Sequence, residues 1–208
     1  MSEAPAVFIV DDDPSVLRAT QRVMRAAGLT AHAFASAREY LDAYDPQAQG
    51  CLVLDLSMPG LSGLELQQAL VERGGAPAIV FVSGHADVPA SVEAMKGGAV
   101  EFLVKPVDAA RLIAAVHAAM EKDRVLRDAR AGRAQVEKRL ATLTPREAQV
   151  MSLVVTGKLN KQIAAELGTS ERTVKAHRAQ VMSKMQVQSV AELVRAADRL
   201  RDYVAGIA

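Results

Sequence analysis

The chain lacks several features that would place it in common classes of protein. Among its 208 residues Cys51 is the only cysteine, so a disulfide framework is excluded, and we expect Cys51 to fill the core rather than act as a reactive thiol. No run approaches the roughly 18 apolar residues of a membrane-spanning helix. The N-terminal Met-Ser-Glu-Ala-Pro lacks the charged-then-apolar pattern of a signal peptide. We therefore expect a cytoplasmic protein without a membrane partner.

The net charge of +1 conceals a division along the chain. Residues 1–121 contain 8 Lys and Arg against 15 Asp and Glu, a net charge of −7. Residues 122–208 contain 17 against 9, a net charge of +8. An acidic half could collect a metal ion, and a basic half could meet nucleic acid. The division predicts two domains with different tasks.

Short apolar runs alternate with helical patterns through the first half of the chain. The runs are followed by caps and turns, and no dipeptide typical of a β-hairpin separates them. Five such strand-and-helix units in strict alternation predict an α/β domain, with a five-stranded parallel sheet and helices on both faces. A helix is predicted from about Asp87 to Lys96, and Asp13 and Asp108 are predicted to cap helices.

Charged residues follow three of these predicted strands directly. Asp11 and Asp12 follow the first strand, Asp55 ends the third, and Lys105 follows the fifth. Because open parallel sheets place their sites at the carboxyl ends of the strands, we expect these side chains to meet. Carboxylates beside a lysine suit a divalent cation and a phosphoryl group.

The last 65 or so residues have an all-helical pattern. Thr144-Pro-Arg-Glu147 is a capping box, and Asn160 is expected to cap a short helix. Gly168 then turns the chain, and Thr169 or Ser170 caps a longer helix whose outer face carries basic residues. This arrangement predicts a helix-turn-helix unit. Between the two halves, residues 122–140 are highly charged and predict a solvated helical linker, with a dimeric coiled coil as the alternative.

The motifs together resemble those of bacterial two-component response regulators of the NarL/FixJ family. They are an acid pair after the first strand, Asp55-x-x-Met-Pro-Gly, Ser83 after the fourth strand and Lys105-Pro after the fifth, followed by a LuxR-type helix-turn-helix. The resemblance implies a flavodoxin-like receiver domain over 1–121, the linker over 122–140 and a DNA-binding domain over 141–208.

The resemblance implies a role for each residue of the acidic site. Asp55 is the expected phosphoacceptor, and Asp11, Asp12, Asp55 and the backbone carbonyl of Ser57 are the expected ligands of Mg²⁺ or Mn²⁺. Lys105 is expected to offset the charge of the phosphoryl oxygens. The protein would then be a phosphorylation-activated transcription regulator rather than an enzyme, with a sensor histidine kinase as its partner.

Switching is expected to involve Ser83 and Phe102. Ser83, in place of the more frequent threonine, can hydrogen-bond the attached phosphoryl group, and Phe102 follows that motion, unless it is an ordinary core side chain. The face made by residues 88–96 and Phe102 is then the expected surface for homodimerisation. RNA polymerase is an expected partner if the protein is an activator.

The predicted contacts with promoter DNA lie on the two helices of the helix-turn-helix unit. Lys175 and Arg178 are expected near the major groove, with Ala176 and Ala179 on the same face. Contacts to the DNA backbone are expected from Asn160, Lys161, Thr173 and Lys184, and Arg172, outside the apolar stripe of its helix, is a further candidate for DNA contact.

Two alternatives stay open at this point. The first is an aspartyl-nucleophile phosphatase of the haloacid-dehalogenase type, which needs an acid two residues after the nucleophile, where this chain has Ser57. It would also leave the helix-turn-helix unit unexplained. The second is a regulator that acts without phosphorylation, which the intact set of acids, Ser83 and Lys105 argues against.

Overall fold

The first half of the chain forms a parallel β-sheet. The computed structural model describes residues 4–75, 77–84 and 88–205, with side chains described as far as Asp198. The strands lie in the order β2-β1-β3-β4-β5, all parallel, which confirms the predicted fold class. They are β1 Ala6–Val10, β2 Thr30–Phe34, β3 Gly50–Asp55, β4 Ala78–Ser83 and β5 Glu101–Val104.

Five helices follow the strands and cover both faces of the sheet. One apolar cluster contains residues of α1 and α5, and the other contains residues of α2, α3 and α4. Every residue of β3 and β4 is buried, because a strand inside a parallel sheet is covered on both faces. The helices are α1 Pro14–Ala26, α2 Ala37–Ala43, α3 Gly63–Glu72, α4 Val88–Lys96 and α5 Ala109–Leu140. The predicted start of α4 at Asp87 lies outside the described residues.

Local signals in the sequence set the ends of several elements. Asp13 Oδ1 accepts a hydrogen bond from Ser15 N at 2.7 Å, and Asp108 Oδ1 accepts one from Ala110 N at 2.9 Å. Both predicted caps are therefore confirmed. Cys51 is 1% exposed within β3, as expected for a core residue. Burial raises the pKa of its thiol to about 12, which removes the reactive thiolate at neutral pH.

The chain divides into two compact units, Met1–Arg127 and Asp128–Ala208. The predicted linker, 122–140, is the last part of α5. In the first unit, Arg127 Nε donates to the buried carboxylate of Asp123 at 2.7 Å, and Asp123 accepts from Gly50 N at 3.1 Å. These bonds fasten α5 to the start of β3.

The second unit is helical in its described part. Its helices after α5 are α6 Pro145–Val155, α7 Asn160–Glu166, α8 Glu171–Met185 and α9 Val190–Ala205. Ser170 caps α8, as one of the two predicted alternatives. The predicted cap at Asn160 is wrong: the N-cap of α7 is Leu159, whose amide donates to Gln162 Oε1 at 2.8 Å. The core of the second unit contains buried side chains from α6 to α9, among them Val150, Ile163, Val174, Met185 and Leu193, and it also includes Val136 of α5.

Candidate functional site

Two carboxylates and one ammonium meet at the carboxyl edge of the sheet. Lys105 Nζ lies 2.6 Å from Asp11 Oδ2 and 2.6 Å from Asp55 Oδ1. Asp11 is 4% exposed and Asp55 is 6% exposed. The second oxygen of each carboxylate accepts a hydrogen bond from a backbone amide. Asp13 N donates to Asp11 Oδ1 at 2.9 Å, and Ser57 N donates to Asp55 Oδ2 at 2.7 Å. The structure thus brings together the residues that the sequence placed after three separate strands.

The backbone around Asp55 explains how its side chain is presented. The α3 helix begins directly behind the strand end, where Gly63 N donates to Leu56 O at 2.9 Å. A Cβ at Gly63 would lie 2.3 Å from Asp55 O, so only glycine allows this approach. On the other side of Asp55, Lys105 N donates to Ser83 O at 2.7 Å. The loop after β3 and the ends of β4 and β5 are therefore held around one point.

The electrostatics of this site favour an added cation. Burial raises the pKa of Asp11, more than its hydrogen bond from Lys105 lowers it. Burial by itself lowers the pKa of Lys105, but its hydrogen bonds to Asp11 and Asp55 outweigh this effect, and the pKa is raised. Two buried carboxylates share one ammonium, which leaves one negative charge without a counterion. A cation or the electrophilic phosphorus of a phosphoryl group suits this arrangement.

The predicted metal ligands are only partly assembled. Within the described residues, no group of three or more His, Cys, Asp or Glu side chains is arranged to hold a metal ion. Asp11 and Asp55 both hold Lys105, whereas Asp12 is exposed beside them. The carboxylates of Asp11, Asp12 and Asp55 still suit Mg²⁺, because this ion prefers a few carboxylate oxygens and keeps several waters. The ligation by Asp12 and by the Ser57 carbonyl stays a prediction.

The two predicted switch residues lie near the acidic site, on adjacent strands. Ser83 is 1% exposed at the end of β4, one residue beyond Val82, which pairs with Asp55 on β3. Phe102, on β5, is half-buried and stacks on Phe81, with ring centroids 6.3 Å apart. Their movement on phosphorylation stays a prediction.

One face of α8 is exposed and basic. Arg172, Thr173, Lys175, Ala176 and Ala179 are all exposed there, and Lys161 is exposed on α7. The opposite face carries the buried residues of the unit. A basic helix face of this kind suits the major groove of DNA.

Four of the predicted DNA contacts have partners inside the protein. The hydroxyl groups of Thr173 and Ser170 lie 2.9 Å apart. Arg178 Nη1 donates to Asn160 Oδ1 at 2.9 Å, which ties α8 to α7. Lys184 Nζ donates to Glu147 Oε2 at 2.7 Å and to Thr142 O at 3.1 Å. A DNA phosphate would have to compete with a buried carboxylate for Lys184. These pairs were not predicted from the sequence. The capping box indicated Glu147, but no sequence pattern indicated that Lys184 would pair with it.

Both halves of the chain match described protein families. Residues 7–117 match the response regulator receiver domain, and residues 141–197 match the bacterial regulatory proteins of the luxR family. A sheet with acids and a lysine at its carboxyl edge, joined to a helix-turn-helix unit, defines the class of DNA-binding response regulators.

Relatives of the whole chain agree with this class. Nodulation protein W of Bradyrhizobium diazoefficiens is 48% identical over 194 residues, which are 93% of this chain and 86% of that protein. The transcriptional regulatory protein FixJ of Azorhizobium caulinodans is 45% identical over 197 residues, 95% of this chain and 93% of that protein. The solved structure of response regulator StyR has a TM-score of 0.85 and 43% identity, and covers 95% of this chain and 100% of its own.

The chain belongs to the two-component response regulators of the NarL/FixJ family, with a LuxR-type DNA-binding domain. It is a phosphorylation-dependent transcription regulator of a two-component system. None of the helices in the described part of the chain has the length and apolar character needed to cross a membrane.

Proposed function

We propose that Asp55 is the phosphoacceptor of this regulator and that a sensor histidine kinase is the donor. The observation that carries this proposal is the position of Lys105, whose ammonium lies 2.6 Å from both Asp11 and Asp55. It can stabilise the charge of a phosphoryl group attached to Asp55, because it already contacts one of the carboxylate oxygens. Asp11, Asp12, Asp55 and the Ser57 carbonyl would hold Mg²⁺, or Mn²⁺, which neutralises charge on the phosphoryl oxygens.

In the proposed reaction an oxygen of Asp55 attacks the phosphorus of a phosphohistidine. The O–P bond forms while the P–N bond breaks, and the imidazole leaves with the electron pair and takes up a proton. Lys105 offsets the charge on the phosphoryl oxygens during transfer. The Ser83 hydroxyl then hydrogen-bonds the attached group, and the loop after β4 follows, with Phe102 moving behind it.

Phosphorylation with a small donor tests the assignment of Asp55. We expect acetyl phosphate and Mg²⁺ to phosphorylate the wild type, as seen by intact-protein mass spectrometry, and to leave Asp55→Asn unmodified. Asp42→Asn is the matched control, because Asp42 is an exposed acid of the same unit. Equal phosphate incorporation into Asp55→Asn would place the acceptor elsewhere.

We further propose that phosphorylation produces a homodimer through the face of α4 and β5. Large apolar side chains are unusually exposed there: Val88 by 70%, Val92 by 46%, Met95 by 46% and Val104 by 43%. A patch of this kind marks an interaction surface. A dimer would present two helix-turn-helix units to paired half-sites, about one helical turn of DNA apart. RNA polymerase is the proposed further partner at promoters that the protein activates.

Sedimentation of the phosphorylated protein tests the dimer surface. We expect the double variant Val92→Ser, Met95→Ser to dimerise at least tenfold more weakly than the wild type. Val71→Ser is the control, because Val71 is 56% exposed on α3, away from the proposed surface. Equal weakening by both variants would show that loss of apolar surface, and not its position, is what matters.

A further inference from the structure

A second cavity lies within the receiver unit, apart from the acidic site. The chain contains four Phe, three Tyr and no Trp. Four of these seven aromatic residues, Phe8, Phe34, Tyr40 and Tyr44, line one cavity of about 450 Å³. None of Asp11, Asp55 and Lys105 is among its lining residues.

The sequence creates this cavity by leaving the edge of the sheet incompletely covered. Phe8 pairs with His32 across β1 and β2, and Phe34 follows two residues later on the same face. The covering helix, α2, has 7 residues and is about 10 Å long, whereas five strand residues extend about 16 Å. Ala43 ends this helix with a side chain too small to fill the remaining space.

The rings are held in fixed and mutually inclined positions. Tyr40 is 4% exposed, and Phe34 meets it edge-to-face, with centroids 5.2 Å apart and planes inclined by 76°. Phe8 and Tyr44 lie 5.9 and 5.8 Å from Tyr40. A Cβ at Gly75 would lie 1.8 Å from the Tyr44 hydroxyl, so this glycine leaves room for the Tyr44 ring.

We propose that this cavity binds a neutral, planar aromatic molecule with one hydrogen-bonding substituent, for which a substituted phenol is a small probe. Its volume lies within the range of about 300 to 1,000 Å³ that is usual for ligand sites. The wall already shows parallel stacking, because His32 lies over Phe8 at 5.8 Å with planes inclined by 22°. Thr30, Asp45 and Gln49 supply polar groups at the rim.

The tyrosines make a direct test possible in the full-length protein. Labelling with ¹³C-tyrosine gives signals from Tyr40 and Tyr44 in the cavity and from Tyr203 in the other unit. We expect 4-fluorophenol to shift the signals of Tyr40 and Tyr44 and to leave Tyr203 in place. The expected Kd is on the order of 1 mM, as is usual for a ligand of this size.

Two filling variants and one control locate the binding. Ala43→Phe and Thr30→Phe fill the cavity from opposite sides, and each should weaken binding at least tenfold. Both positions are exposed, and Ala26→Phe, at an exposed position outside the cavity, should bind as the wild type does. Unchanged Tyr40 and Tyr44 signals in the wild type, or binding by both filling variants as tight as that of the wild type, would overturn the proposal. So would a change of oligomeric state in these variants without ligand binding, which would make the surface a contact between copies.

Discussion

The two units of this protein use charge in opposite ways. In the receiver unit, Asp11, Asp55 and Lys105 are drawn to one point, and both acids are almost fully buried. In the helical unit, the basic residues of α8 are spread along an exposed face, and only Arg178 and Lys184 have hydrogen-bond partners among the residues that the structure describes. Burial makes each charge of the first set depend on the others, whereas solvent screens the members of the second set from one another.

This difference has a consequence for mutagenesis. Removal of one member of a buried set leaves the others without a partner, so the effect should be nearly complete. Removal of one exposed basic side chain should remove one contact with DNA and leave the rest of the protein–DNA interface in place. The following predictions test that contrast in order of decreasing effect.

Removal of the lysine at the acidic site should have the largest effect. We expect Lys105→Met to be phosphorylated by acetyl phosphate ~100-fold more slowly than the wild type, since one positioned electrostatic contact in a reaction site contributes on that order. Phosphorylation rates followed by mass spectrometry measure the effect. Lys122→Met is the control, because Lys122 is exposed on α5. A Lys105→Met rate within threefold of the wild type would mean that the shared ammonium is structural only.

In the helical unit, removal of single side chains should weaken DNA binding only in part. Arg178→Ala should weaken binding to promoter DNA by about 1 to 3 kcal/mol, as for a base contact. Asn160 holds Arg178 at 2.9 Å, so Asn160→Ala should also weaken binding. If Asn160 acts by positioning Arg178, the double variant should be no weaker than Arg178→Ala alone in fluorescence anisotropy. Additive losses would instead give Asn160 a separate contact with DNA.

The smallest expected effect concerns the pH dependence of the helical unit. Hydrogen bonds from Lys184 and from the Thr144 amide hold the pKa of Glu147 below its usual value of 4.5. The ionised carboxylate therefore stabilises the unit at pH values above about 4.5, and this contribution is lost as the pH falls through the lowered pKa. Glu147→Gln should remove this part of the pH dependence.

Hydrogen exchange of the α6 amides between pH 7 and pH 3 measures the contribution of Glu147, after correction for intrinsic exchange. Glu137→Gln is the matched control, because Glu137 is exposed and paired only with Arg133 in the same helix. Identical protection profiles for wild type and Glu147→Gln would show that the pair contributes nothing to stability.

The parts of the structure that the sequence predicted correctly depend on local patterns or on strand ends. Alternating apolar runs and helix caps predicted the parallel sheet, and the rule that strand ends share one edge predicted the meeting of Asp11, Asp55 and Lys105. The pairs Asn160–Arg178 and Glu147–Lys184 were not predicted. Their members lie 18 and 37 residues apart, and only the packing of one helix against another decides which side chains meet.

The aromatic cavity was missed for a related reason. In the sequence each of the four aromatic residues has the pattern of an ordinary core residue: Phe8, Phe34, Tyr40 and Tyr44. The uncovered space among them arises because α2 is shorter than β2, which no single residue indicates. The cap of α7 was predicted one residue too late, because asparagine is a much more frequent N-cap residue than leucine. In the structure the Gln162 side chain accepts a hydrogen bond from the Leu159 amide at the start of this helix.

The burial of Cys51 has a practical consequence. Its thiol is 1% exposed and has a pKa of about 12, so maleimide reagents should leave it unmodified at neutral pH. The native chain can therefore serve as its own background for site-directed labelling. A cysteine introduced at an exposed position such as Arg22 on α1 would carry a fluorophore or spin label alone. Distances between labels on two copies would then follow dimer formation in real time, without a cysteine-free variant.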